Sequence, residues 1–199
     1  MLAGPSGSGK SRLASRLGLP VLRLDNFYRD GDDAALPRAF GIVDWDDPTS
    51  WDQAAAVAAA CRLALEGTAD VPTYDIPTSR ATGTHVMATG GAPVIVAEGI
   101  FAAEVIPSLR DAGVLADAIC LTHPPLVTFT RRLTRDLREG RKPPLTLLRR
   151  GLSLLRNERQ IVAHQVALGA VPCSPAHAYE RVQALLQQAW TSEASPPRS

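Results

Sequence analysis

Cysteine and aromatic residues are scarce in this sequence, and neither sign of charge is in clear excess. The 199 residues include only three cysteines, Cys61, Cys120 and Cys173, all widely spaced. With no Cys-x-x-Cys pair and no Cys/His cluster, neither a zinc site nor a disulfide framework is indicated. Cys61 lies among alanines and Cys120 among apolar residues, which predicts burial for both. Lys and Arg total 21 against 20 Asp and Glu, a formal net charge of +1. That near-balance lacks the basic excess expected of a nucleic-acid binder. Aromatics make up 5 % of the chain, so its core must be aliphatic and alanine-rich. No apolar run approaches the length of a membrane span. The glycine-rich start has no continuous apolar region of the kind a secretion signal needs, so a cytoplasmic, reducing compartment is expected.

Glycine (15) and proline (16) are both frequent, which argues against a plain helical bundle. The length suits one well-filled core. Gly4-Pro5-Ser6-Gly7-Ser8-Gly9-Lys10-Ser11 matches the phosphate-loop pattern GxxxxGK[ST] at every fixed position. Glycines there let the backbone curl and turn successive N–H groups onto a phosphate chain. Lys10 supplies a charge for the β and γ phosphates, and the Ser11 hydroxyl is a Mg²⁺ ligand candidate. A helix beginning at Arg12 would aim its N-terminal dipole at the same phosphates. Only Met1-Leu2-Ala3 precede the loop, so the central strand reads as very short or truncated, through a mis-chosen start codon or an abbreviated chain.

Further on, residues 20–25 and 93–98 read as apolar strands ending in Asp25 and Glu98, and residues 116–122 as a third. Helices are expected at about 51–65, capped by Ser50 or Thr49, and at about 102–112, 125–139, 145–168 and 175–190. A strand at 71–75, a loop at 78–83 and a return strand at 84–88 complete the middle of the chain, while 170–175 reads as irregular. Strands alternating with helices after a phosphate loop predict an α/β three-layer sandwich with a mostly parallel sheet. The expected organisation is one domain over 1–190, with an acceptor-binding insertion at about 30–90, a helical lid at about 131–145 and a flexible tail at 191–199.

Phosphoryl transfer needs positioning, a metal, positive charge and sometimes a base. In a parallel sheet the strand C-termini share one edge with the phosphate loop. Asp25 is therefore a candidate base, or orienting group, for an acceptor hydroxyl, and Glu98 a candidate for the metal, directly or through water. The alternative for either carboxylate is a turn or cap residue. Arg131, Arg135 and Arg138 form a helical stripe with Arg132 beside it, and Arg141 and Lys142 follow in a basic loop. This segment reads either as a solvated face or as a lid that closes over nucleotide and excludes water.

Taken together, GPSGSGKS at 4–11, LDNFYR at 24–29, VDWDDP at 43–48, PTYDIPTSR at 72–80, EGI at 98–100 and RRLTRDLREGR at 131–141 resemble the uridine kinase-like P-loop kinases, relatives of phosphoribulokinases and bacterial-type pantothenate kinases. The resemblance implies ATP- and Mg²⁺-dependent transfer to a hydroxyl, such as the 5′ position of a nucleoside. It implies Asp25 as general base and Asp46 as the carboxylate holding ribose hydroxyls. Tyr74 would contact the acceptor base, with Tyr28 and Arg80 on the acceptor side. Glu98 would be the metal-side acid, with Ser11 and Asp25 near the metal, and Arg132, Arg135 and Arg141 would meet phosphate. The sequence departs from that pattern after the Tyr-Asp box, where uridine kinases usually place a pyrimidine-reading histidine. Ile76-Pro77-Thr78-Ser79-Arg80 stands there instead. An acceptor of another kind, such as a sugar or vitamin precursor, is the second expectation, and an ATP-binding regulatory protein the third. No nucleic-acid or membrane partner is expected; a homo-oligomer is compatible with the sequence but not readable from it.

Overall fold

A computed structural model describes residues 1–39, 41–123 and 158–193. The stripe and basic loop expected between 125 and 145, including Arg132, Arg135 and Arg141, lie outside these residues. So do most of the helix expected at 145–168 and the tail beyond 193.

Five parallel strands form the central sheet in the order β2-β7-β1-β8-β9. They are β1 (Leu2–Ala3), β2 (Val21–Arg23), β7 (Val96–Glu98), β8 (Ile119–Leu121) and β9 (Val171–Cys173). Every residue of β1, β7 and β8 is buried, which accounts for apolar runs without polar alternation. On one face lie helices α1 (Lys10–Leu17) and α5 (Pro175–Glu193), burying Leu13, Ala14, Leu17 and Ala178 against Leu2, Val96, Ile119 and Leu121. The Arg16 guanidinium sits 4.3 Å over the Tyr179 ring and ties these two helices together. On the other face α2 (Gln53–Glu66), α3 (Ile106–Asp111) and α4 (158–167) cover a larger cluster that includes Leu22, Leu24, Phe27, Trp51 and Ile106. Three layers result, with Ala56, Ala59 and Ala60 of α2 buried in that cluster.

Two antiparallel hairpins stand apart from the sheet: β3 (Arg38–Ala39) with β4 (Ile42–Val43), and β5 (Thr68–Asp75) with β6 (Arg80–Ala88). The second is longer than its sequence predicts. β6 is exposed at eight of nine positions, so it carries no buried/exposed alternation for a periodicity argument to detect.

Several expectations need correction. The stretch 170–175 is not irregular, because Val171–Cys173 pairs in parallel with β8 and supplies the fifth strand. It is a three-residue edge strand with Pro172 at its middle, a composition that argues against a strand anywhere but an edge. Helix α2 is capped by Asp52, whose carboxylate accepts from the Ala55 N–H at 2.9 Å, rather than by Ser50 or Thr49. Those two sit in a preceding 3₁₀ turn (Pro48–Ser50) capped by Asp47. The helix expected at 102–112 begins as a 3₁₀ turn (Ala102–Val105) and becomes α-helical at Ile106, where Pro107 takes an early position that needs no N–H. Residues 191–193 continue α5. Cys120 and Cys173 are buried, whereas Cys61 is only half-buried.

Candidate active site

The phosphate loop runs from the end of β1 into α1, at the edge where the parallel strands finish. Gly4 has φ +140°, and a Cβ there would lie 2.5 Å from the Leu121 carbonyl oxygen and 2.8 Å from Ser8 Oγ. Only glycine lets the loop leave the sheet along this path. Gly7 and Gly9 also have positive φ, 85° and 90°, and the Leu13 N–H donates to the Gly9 carbonyl at 2.9 Å as the helix begins. Lys10 Nζ donates to the carbonyls of Gly4 (2.8 Å) and Pro5 (3.2 Å), folding its ammonium back over the loop. Ser8 is fully buried, and among the described residues its hydroxyl has no hydrogen-bond partner. A cradle closed by glycines, a lysine turned into it and an unsatisfied buried hydroxyl together fit a phosphate chain.

The Ser11 hydroxyl donates to Glu98 Oε1 at 3.0 Å. Glu98 ends β7, in register with Leu2 and Arg23 on its two neighbours. It is 8 % exposed. Burial pushes its carboxyl above the usual range against the pull of the Ser11 bond and the Lys10 charge, and the Asp25 charge adds to the rise. Among the described residues no cluster of three or more His, Cys, Asp or Glu is arranged for a metal. Ser11 with one or two carboxylates instead fits Mg²⁺, which keeps most of its shell as water and phosphate oxygen.

Asp25 lies just beyond β2, in a 3₁₀ turn (Leu24–Phe27), rather than at the strand's last position. One carboxylate oxygen, Oδ1, accepts the Ile100 N–H at 3.0 Å. Gly99 makes this approach possible, because a Cβ there would stand 2.8 Å from that oxygen and 2.9 Å from the Leu24 Cβ. Glu98, Gly99 and Ile100 therefore touch both Ser11 and Asp25, across 75 residues of sequence in the second case. The EGI motif marks this stretch, yet Gly99 and the Ile100 amide were not expected as site residues. A backbone donor leaves no mark in residue identity.

Beyond Asp25 stands an aromatic wall. Tyr28 meets Trp45 edge-on with ring centres 5.5 Å apart, and both Tyr74 and Phe101 at 5.9 Å. Its hydroxyl donates to the Trp45 carbonyl at 3.1 Å, one residue before Asp46. Burial, followed by the charges of Asp25 and Asp46, pushes the Tyr28 phenol well above its ordinary range, so it stays protonated as a donor. Trp51 Nε1 donates to the Leu24 carbonyl at 2.6 Å and supports the Asp25 turn from beneath. Tyr74 reaches this wall from the tip of the β5–β6 hairpin, where its hydroxyl donates to the Arg29 carbonyl at 3.1 Å. Arg80 pairs with Asp32. The structure thus brings Lys10, Ser11, Glu98 and Asp25 together at one edge, and Tyr28, Tyr74 and the Trp45-Asp46 turn beside them.

At the opposite edge, where the strands start, a cavity of about 380 Å³ is lined by aliphatic groups such as Leu2, Leu13, Leu63, Val96 and Ile119. Those walls offer no phosphate chemistry.

A solved structure from Silicibacter sp. TM1040, a candidate fructose transport system kinase, superposes with a TM-score of 0.55 at 24 % identity, covering 81 % of this chain and 82 % of that one. The likeness is one of fold: an α/β three-layer sandwich around a mostly parallel central sheet. A possible uridine kinase from Bacillus stearothermophilus also matches, with a TM-score of 0.45 and 19 % identity over 66 % of this chain and 73 % of its own. No protein-family model matches the chain, and no curated protein sequence does. Among the described residues no helix is long and apolar enough to cross a membrane.

Proposed function

We propose that this protein is an ATP- and Mg²⁺-dependent kinase that transfers the γ-phosphate to a hydroxyl of a small metabolite in the cytoplasm. The observation that carries the reading is the Glu98-Gly99-Ile100 turn. It joins Ser11 of the phosphate loop, through Glu98, to Asp25, through the Ile100 amide. A protein that only sensed nucleotide would have no use for a carboxylate held by backbone at that spot.

The loop amides and Lys10 would hold the β and γ phosphates, with Ser11 and Glu98 on the metal side. Bound Mg²⁺ would neutralise charge on the phosphate oxygens. Lys10 would leave the Gly4 and Pro5 carbonyls to do its part, a short swing for a four-carbon stem. Asp25, fixed through one oxygen, keeps the other for the acceptor hydroxyl, orienting it and taking its proton. Arg132, Arg135 and Arg141 are the proposed lid residues that shield the transferring group from water.

The resemblance to uridine kinases implies a nucleoside acceptor. A non-nucleoside acceptor is the second reading, favoured by the absence of a histidine after Tyr74-Asp75. The test is calorimetric titration with ATP in the presence and absence of Mg²⁺, followed by ADP release across a broad acceptor screen. Mg²⁺-dependent binding with acceptor-dependent ADP release supports the reading. Tight ATP binding with no acceptor-dependent turnover would leave a regulatory nucleotide binder.

A further inference from the structure

The turn that carries Asp25 is gripped from two sides at its far end. On the core side the Trp51 indole donates to the Leu24 carbonyl, the Asp52 N–H to the Phe27 carbonyl at 2.8 Å, and the Arg29 N–H to the Ser50 carbonyl at 3.0 Å. On the outer side residues 29–33 run as a strap along the tip of the β5–β6 hairpin. The Tyr74 hydroxyl donates to the Arg29 carbonyl at 3.1 Å, the Ala81 N–H to Asp30 Oδ1 at 2.7 Å and the Gly31 N–H to the Ser79 carbonyl at 2.7 Å. Arg80 pairs with Asp32. Arg29 is thus held at both of its backbone groups, its N–H by the segment before α2 and its carbonyl by the hairpin.

The hairpin is shaped for this contact. Its root is fixed, because Ala69 and Val71 of β5 are buried in the larger core cluster. Near the tip the strand register slips between Thr73 and Tyr74, and a bulge of this kind bends a strand and re-aims its side chains. Ser79 has φ 52°, and among the described residues no other non-glycine residue has a positive φ. Backbone held in so sparsely populated a region answers a local demand. The demand at this tip is the strap: the Ser79 carbonyl takes the Gly31 N–H, and a Cβ on Gly31 would stand 2.9 Å from the Ser79 Cβ. The resemblance reads Tyr74 and Arg80 as acceptor contacts, yet in this structure both bond to the strap.

We propose that the hairpin tip is a clamp on the strap, and that Tyr74 is a positioning residue that fixes the Asp25 turn through the Arg29 carbonyl rather than a contact of the acceptor. The Ile100 amide pins the Asp25 carboxylate directly, and the clamp holds the chain that leads away from it. The effect on turnover rests on the kinase reading above; the clamp itself does not. Loosening a group that orients a reacting hydroxyl lowers kcat, whereas removing a contact made equally in ground and transition states raises KM.

The test uses the full chain, first without ligand. Amide hydrogen exchange at Gly31, measured against the rate of an unstructured peptide of the same sequence, is compared in wild type, Tyr74→Phe, Asp30→Ala and Asp30→Asn. None of these changes touches the Gly31 N–H or the Ser79 carbonyl. Asp30→Asn keeps an oxygen for the Ala81 N–H, and Asp30→Ala does not. We expect protection at Gly31 to fall by about 10-fold or more in Tyr74→Phe and in Asp30→Ala, and to stay within about 2-fold of wild type in Asp30→Asn. ADP release is then measured with the best acceptor from the screen. Tyr74→Phe and Asp30→Ala should lower kcat by about 10-fold, with acceptor KM and Mg·ATP affinity within about 2-fold of wild type and Asp30→Asn close to wild type throughout. Unchanged protection at Gly31 in both loosening variants overturns the clamp. Lost protection with unchanged kcat overturns the positioning role, and so does a raised acceptor KM with kcat held, which would make Tyr74 an acceptor contact. Mg·ATP binding with no acceptor turned over overturns the kinase reading and the positioning role together, while exchange at Gly31 still decides the clamp. Should Tyr74→Phe fail to fold, the Asp30→Ala and Asp30→Asn pair carries the same comparison.

Discussion

The phosphate loop takes its shape from eight consecutive residues and from backbone conformation, whereas the wall beside Asp25 gathers Tyr28, Trp45, Asp46 and Tyr74 from three separate segments and holds them by side-chain contacts. In the first region one glycine, Gly4, clears both a carbonyl and a hydroxyl. In the second, a single phenol, that of Tyr28, touches three rings and a carbonyl. Backbone-built sites stay rigid while their side chains vary; side-chain-built walls can change specificity without losing the fold. On the proposed kinase reading, the donor half is fixed machinery and the acceptor half is the adjustable part.

The sharpest way to break that division is at Asp25, which stands between the two halves. Asp25→Asn keeps the bond from the Ile100 amide but removes the negative charge and the basic oxygen. We expect turnover to fall by about 10²–10⁴-fold with Mg·ATP affinity little changed. If the loss appears instead in metal dependence and is rescued by raised Mg²⁺, Asp25 belongs to the donor half alone. Lys10→Ala comes next, with turnover lower by roughly 10²–10³-fold and an unchanged melting temperature without ligand. Near-full turnover in that variant would remove the phosphate assignment of the loop.

Tyr28→Phe probes the other half. It deletes the donor to the Trp45 carbonyl while keeping the ring contacts. A stability cost of about 1 kcal/mol is expected, from one lost hydrogen bond with its carbonyl left partly unsatisfied. Acceptor KM should rise several-fold as the Asp46 turn loosens, while Mg·ATP affinity stays put. Denaturant melts and steady-state kinetics would check it, and a change in Mg·ATP affinity would show the two halves to be coupled.

The same contrast explains what was legible in the sequence. Gly4 to Ser11 could be read as a unit because the chemistry is contiguous and each glycine has a backbone reason. Asp25 and Glu98 could be placed at one edge because apolar strands ending in carboxylates have a known polarity in a parallel sheet. The strap at 29–33 was hidden, since its bonds depend on how two distant loops meet and most of them involve backbone atoms. Ile100 was hidden for the same reason. Strand β9 escaped notice because three residues with a central proline, two of them exposed, carry no strand pattern. The cap of α2 went to Asp52 because Ser50 is buried and spends its hydroxyl on the Asp47 carbonyl at 2.7 Å.

The smallest expected effect sharpens the claim that the donor half is shaped for ligand rather than for stability. Burial holds the Glu98 carboxyl above its ordinary range in the folded protein. Between its unfolded and folded values the native state therefore binds more protons than the unfolded state. Stability without ligand must fall as pH rises through that window, and the penalty is complete above it. Below the unfolded value, near the ordinary glutamate range, Glu98 is neutral in both states and costs nothing. Glu98→Gln keeps an oxygen to accept from Ser11 but cannot ionise. We expect the variant without ligand to melt slightly higher than the wild type at neutral pH, with the advantage vanishing as pH drops below the ordinary glutamate range. Adding Mg·ATP should reverse the order, because the wild-type charge is then favoured by the metal and the variant's amide is not. Thermal melts across pH, with and without Mg·ATP, read both signs. A variant that melts lower than the wild type at every pH without ligand would show Glu98 to be a structural partner of Ser11, and the donor edge would then owe its stability to the pair rather than carry its charge as a cost.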